Sequence, residues 1–446
     1  MNLALAQAVV DCLKTPHMTP RCSTLLEPFT LGDWERTLHW LDLTGLALYL
    51  WRRLGDSLAT NAVPPAVRVR LERNQMQNKA RVADAAREFS TLNKLWEQSG
   101  VRFAALKGFA MIPDYCEDAA LRTQYDHDYL LDAESLPAAV AALQSAGYVR
   151  KNPHERHPLA FSLPSHPAPV LTGPIDFYSR RLPRPIELHT RLWEASNERI
   201  EIAPYEGALD RACLRSRDGA PFAVLNDTDA LVFQVLHAFR HVLRNWCRLS
   251  IFLEIARFLE RRSTDIKFWE RFRNRIQNRR WLPEASGVVF SLASNLFAVP
   301  VPRPAGPCTL EAMTPAMIAW IEDYGNASAL RNFQGNKHSL LLHREFVDDL
   351  SAWREVRRQR LFPFAQIPRA LRLHSARRGF PLNAAWTQGI HLVRRAKFHL
   401  TAALSYALAN VAWCRRFGSP AETGTPRERM EKNFAGTAMA VRLPEE

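Results

Sequence analysis

Apolar residues recur at three-and-four spacing through residues 3–13, 31–54 and, most clearly, 67–98, with Arg, Glu, Asn and Gln between them. That spacing gathers apolar side chains into one stripe of a helix, so the first hundred residues predict three helices. Pro64-Pro65 separates the second from the third, and Gly100, a residue suited to the position just past a helix end, closes the third.

The pattern changes at Val101. Residues 101–106 form a short apolar run compatible with a strand, Lys107-Gly108 breaks it, and residues 109–115 can start a helix. A second strand is expected over 125–131. A helix over 135–146 follows, with Pro137 in its first turn and Gly147 at its end. Residues 148–150 and 185–189 read as further strands, and Pro-rich sequence joins them. Helical spacing then returns over 227–245, 249–261, 268–278, 281–297, 310–324, 346–360 and 383–417, before a loose tail over 418–446.

The expected fold is therefore α+β and mostly helical, with a small mixed-sheet α/β core between helical regions. The expected division is an N-terminal helical region at 1–100, the α/β core at 101–200, a helical domain packing on it at 201–362, and a basic C-terminal helical region with its tail at 363–446.

Charge adds a feature that periodicity does not show. The chain of 446 residues carries a formal charge of +14. Between Arg354 and Arg416 stand thirteen Arg or Lys residues and a single acid, Glu355. Such a segment suits an anionic partner, whether RNA, a phospholipid surface or an acidic protein, and equally a solvated basic face. Seven cysteines at irregular spacings with no CxxC pair read as reduced thiols, which points to the cytoplasm. The N-terminus lacks the basic segment of a signal peptide, and no apolar run reaches the length of a spanning helix. Peripheral membrane association stays open.

The candidate chemistry lies in the α/β segment. On a strand, side chains two apart share a face, so Asp126 and Asp128 point the same way. Two carboxylates side by side repel unless a cation lies between them, and Mg²⁺ is suited to one or two such groups. Glu187, between Ile186 and Leu188, is a third acid in an apolar strand, costly to bury without a cation. His189, two residues on, is expected to face the same cleft and touch substrate. His237 and His241, four apart on a helix, could share a face, but without Glu at 238 they read better as a helix face packed on the core. His154, His157 and His166 belong to Pro-rich loops. Asp176 rivals Glu187 as third acid on a shorter apolar run, and Cys116 has no adjacent His to activate it.

Taken in order, Leu106-Lys107-Gly108, Leu121-Arg122, Asp126-His127-Asp128-Tyr129-Leu130-Leu131 and Ile186-Glu187-Leu188-His189 resemble the uncharacterised nucleotidyltransferase family within the polymerase-beta-like superfamily. Leu236-His237, His241, Trp246, Leu249 and Glu254 extend the likeness downstream. The resemblance implies that Asp126 and Asp128 hold a catalytic Mg²⁺, or two, and the triphosphate of an NTP. Glu187 would complete that metal site and help to activate an attacking hydroxyl on an unknown acceptor. It also implies that Lys107 and Gly108 form the phosphate-facing turn and that Arg122 neutralises phosphate charge. Two positions depart from the family pattern: Tyr125 stands where a Gly is usual, and His127 where an aliphatic is usual. A catalytically inactive descendant acting as a binding scaffold or a membrane- or RNA-associated adaptor is the competing expectation.

Overall fold

The computed structural model describes residues 1–14, 22–151, 158–164, 176–195, 198–202, 205–331, 336–363 and 381–418. His154, His157 and His166, the basic stretch 364–380 and the tail from 419 lie outside the described residues.

Helices α1 (Leu3–Cys12), α2 (Cys22–Leu26), α3 (Leu31–Thr44), α4 (Ala47–Asp56) and α5 (Pro65–Gln98) lead in. Periodicity alone predicts a single helix over 31–54, but the chain breaks it at Gly45, which takes φ 75°. A Cβ there would come within 2.6 Å of Ser250 Oγ, so both the backbone and the crowding require glycine. Thr30 and Asp33 form a reciprocal cap at the start of α3.

Among the described residues seven strands follow: β1 (Phe103–Ala105), β2 (His127–Leu131), β3 (Val149–Arg150), β4 (Leu159–Ser162), β5 (Ile186–His189), β6 (Cys213–Arg217) and β7 (Ala220–Val224). They form one mixed sheet in the order β3-β4-β5-β2-β1-β7-β6. β2 runs parallel to β5 and β1 parallel to β7, whereas β1 and β2 are antiparallel. The expected helix start at 109–115 is only a 3₁₀ turn, Gly108–Met111. Helix α6 (Leu136–Ser145) crosses between β2 and β3.

The C-terminal helices are α7 (Asp227–Leu243), α8 (Leu249–Arg261), α9 (Ile266–Ile276), α10 (Leu282–Phe297), α11 (Gly306–Thr309), α12 (Pro315–Trp320), α13 (Asn326–Leu330), α14 (Ser339–Arg344), α15 (Leu350–Leu361) and α16 (Pro381–Phe417). The helix expected over 310–324 begins at Pro315, where Thr314 accepts from Met317 N–H and caps it. The fold is α+β and mostly helical. Among the described residues, no helix is long and apolar enough to cross a membrane.

Alternation along the strands divides the core. Phe103, Ala105, Tyr129, Leu131, Ile186 and Leu188 pack on one face against Phe89, Leu92 and Trp96 of α5. Ala104, Leu106 and Leu130 join the other core, which α7, α8 and α10 fill. Each strand residue therefore faces either α5 or α7, and this choice fixes which side chains reach the site.

Candidate active site

The even-numbered residues of β2 share the face of Leu130, which places Asp128 on the α7 side. On β5, Ile186 and Leu188 are committed to the α5 side, so Glu187 and His189 turn towards α7 as well. Parallel pairing sets Asp128 opposite Glu187 and Leu130 opposite His189. The result is one cluster: ligating atoms of Asp128, Glu187 and His189 all lie within 4.8 Å of one another.

Asp126, one residue ahead of β2, stands at the mouth of this cluster. Lys107 Nζ lies 2.8 Å from Asp128 Oδ1 and 3.8 Å from Asp126 Oδ2. His189 Nε2 is 3.0 Å from Asp128 Oδ1 and 3.7 Å from Glu187 Oε2. The second Asp128 oxygen, Oδ2, is buried and has no hydrogen-bond partner. A buried anionic oxygen left unpaired is costly, so the chemistry of this atom fits a hydrogen-bond donor or a cation.

The cluster drives its carboxylates apart. Burial raises the Asp126 pKa and the neighbouring Asp128 raises it further, against Lys107 and Arg248. For Asp128, burial acts upward, but the Lys107 ammonium and the His189 bond outweigh it and the pKa falls. Burial opposes protonation of His189, yet its bonds to Asp128 and Glu187 prevail and raise its pKa. Lys107 follows the same logic: burial works against its charge, and Asp126, Asp128 and Glu187 restore it.

Gly108 makes the bend beside this cluster. It takes φ 65°, and a Cβ would lie 2.8 Å from Gln124 Oε1. Arg122 reaches the same cleft, but its Nε donates to Glu254 Oε1 at 2.7 Å, where the Tyr49 hydroxyl also donates.

Lys107, Gly108, Arg122, Asp126, Glu187 and His189 border a cleft of about 960 Å³, and Asp128 lies behind its wall. The opposite wall comes from α7 and the turn after it, and carries His237, Arg240, His241, Arg244 and Arg248. Arg244 pairs with Glu198 at 2.6 Å. Arg240 lies over the Trp193 ring, and its buried Nε has no hydrogen-bond partner. Sequence reading assigns His237 and His241 to core packing, yet both line the cleft. Burial holds them neutral, His241 down at about 4.

The two departures resolve differently. His127 faces away from the cleft, buried against α5 with Nε2 3.3 Å from Glu88. Tyr125 does line the cleft, edge-on to Phe177 and beneath the Arg248 guanidinium at 4.6 Å. Asp176 is absent from the cluster: it is exposed, and its carboxylate accepts from the N–H of the buried Tyr178.

The model of a family described as uncharacterised nucleotidyltransferases matches residues 30–298, more than half of the chain, and this span contains the paired strands and the Lys-Gly bend. The chain belongs to the uncharacterised nucleotidyltransferase family. No curated protein and no solved structure matches it. This member of the family thus brings Glu187 and His189 to the surface of a basic-walled cleft, with Asp128 directly behind them.

Proposed function

We propose that the chain is a divalent-metal-dependent nucleotidyltransferase that moves a nucleoside monophosphate from an NTP to an acceptor hydroxyl. The observation that carries this reading is the unpartnered, buried Asp128 Oδ2 directly behind Glu187 and His189, which line a cleft with an arginine-rich wall. Carboxylate oxygens with one imidazole form a donor set that accepts Mg²⁺ or Mn²⁺. Asp128 and Glu187 would hold the ion, with Asp126 and His189 at its margin. Bound there, such an ion would polarise the α-phosphate and offset the charge of the departing pyrophosphate.

The chain's own residues supply the remaining work. Lys107 and the Gly108 bend meet phosphate oxygens, and the Lys107 ammonium can exchange its carboxylate contacts for them without losing charge compensation. Arg240 and Arg248 extend that positive surface to the far side of the cleft, while Glu254 orients Arg122. The acceptor oxygen bonds to the α-phosphorus as the bond to the bridging oxygen breaks and pyrophosphate leaves. Glu187 takes the hydroxyl proton. Holding these groups in line in a half-enclosed cleft is the main source of rate. The seven free cysteines fit a reducing compartment such as the cytoplasm.

The test uses labelled ATP, GTP, CTP and UTP in turn, with Mg²⁺ and cell extract as the acceptor source. A labelled product from the wild-type chain, reduced at least about 100-fold in Asp126→Ala/Asp128→Ala, is expected. No product from wild type, or equal labelling by the variant, would reject the reading.

A further inference from the structure

The long C-terminal helix α16 carries a feature that the cleft does not use. Its buried side holds Ala402, Tyr406 and Trp413, and the last two join the main core. His338 and Ser405, 3.1 Å apart, and the Tyr324 ring beside Trp413 anchor this side to the body. The other side is apolar and open to solvent. Trp386, Val393, Leu400, Leu404, Leu408 and Val411 are 53–75% exposed. Their spacing of seven, seven, four, four and three keeps them on one side of the helix over roughly 37 Å. A continuous exposed stripe of this length exceeds the scattered apolar residues of ordinary surfaces.

The charges on α16 identify the covering partner. The helix contains Arg394, Arg395, Lys397, Arg415 and Arg416 and no Asp or Glu. Lys397 and Arg415 fall within the angular span of the apolar stripe, and Arg394 lies at its edge. A second copy of the chain would set two acid-free, positive faces together, with no carboxylate on either helix to offset the repulsion. A surface of anionic lipid offers both complements, acyl chains for the stripe and headgroup charge for the cations.

We infer that α16 is an interfacial helix that lies flat on an anionic phospholipid surface, with Trp386, Leu400, Leu404 and Leu408 entering the acyl boundary and Lys397 and Arg415 reaching headgroup phosphates. The helix does not span the membrane. This docking is independent of whether the cleft transfers nucleotides.

The test is co-sedimentation of the full chain with vesicles of phosphatidylcholine alone and of phosphatidylcholine mixed with phosphatidylglycerol. Binding to the mixed vesicles, weaker binding to phosphatidylcholine and release as salt rises are the expected results. Leu404→Asp/Leu408→Asp and Arg394→Glu/Lys397→Glu should each weaken binding at least about tenfold. Both variants should keep the wild-type thermal midpoint, because all four side chains are exposed. Absence of sedimentation with either vesicle at low salt would overturn the inference, as would equal binding by the Leu404→Asp/Leu408→Asp chain. A wild-type dimer that this variant dissolves, without vesicle binding, would assign the stripe to a second copy instead.

Discussion

Asp128 and Glu187 stand opposite each other in register on the parallel strands β2 and β5, both turned towards α7. Their proximity is a property of the sheet rather than of a flexible loop. Neighbouring strands lie about 4.8 Å apart, so two acids at paired positions on one face are held within reach of a single cation. In the protein alone, the Lys107 ammonium and the His189 ring stand against the Asp128 carboxylate.

This arrangement sets a stability relationship between Lys107 and Asp128. Asp128 is fully shielded and Lys107 nearly so, and removing one member of a buried pair strands the other. Asp128→Asn should destabilise the fold by about 3 kcal/mol. Adding Lys107→Met should recover a large part of that loss. Urea denaturation of the two single variants and the double variant measures the coupling, and strictly additive losses would contradict it.

His189 should titrate above the ordinary histidine range, since its bonds to Asp128 and Glu187 favour the charged ring. A raised folded-state pKa contributes stability fully below the unfolded value of about 6.5, and that contribution is lost as pH rises through the folded value. Imidazole NMR should show the raised value in the wild type and its fall in Glu187→Gln. Saturating Mn²⁺ or Mg²⁺ should also displace the proton, read by calorimetry as proton release that differs between buffers of unlike ionisation heat.

Acid should destabilise the helical body through a different histidine. His343 is completely buried, its Nε2 lies 2.6 Å from the Glu198 carbonyl oxygen, and burial pushes its pKa down to about 3. Because the acceptor is a carbonyl, Nε2 carries the proton of the neutral ring. A depressed value costs nothing above the unfolded pKa of about 6.5, and below it the unfolded chain gains a proton that the folded chain refuses. The loss should reach roughly 2 kcal/mol at pH 5 from this residue alone. Denaturation midpoints for wild type and His343→Gln across pH 7 to 5 check it: the variant starts lower and falls less.

Gly108→Ala should cost about 1 kcal/mol or more, combining a left-handed backbone with the approach of Gln124 Oε1. Gln124→Ala in the same chain should return only the steric share. Thermal melts of Gly108→Ala, Gln124→Ala and the double variant separate the two contributions.

Much of the core fold was legible because local periodicity and strand alternation agreed. Spacing alone placed Asp126 and Asp128 on one face, Glu187 stood out as an acid between Ile186 and Leu188, and the Lys107-Gly108 break was visible as punctuation; that Glu187 stands opposite Asp128 follows only from the strand pairing. The far wall of the cleft was not legible. Arg240, Arg244 and Arg248 meet the sheet only through tertiary packing, and a helix pattern does not say that His237 and His241 border a void. The hairpin β6–β7 did leave a local signal: Asp218-Gly219, with φ 51° and 80°, is the dipeptide that tight hairpins favour, between two β-compatible runs. Strand β4 left none, being four residues long beside Pro-rich sequence.

The most direct measurement of the central claim is calorimetric titration of the chain with a non-hydrolysable NTP, with and without Mg²⁺. Nucleotide binding that needs Mg²⁺ in the wild type and is lost or weakened at least about tenfold in Asp128→Asn is the predicted result. Binding of equal strength without the ion, or unchanged in Asp128→Asn, would contradict it.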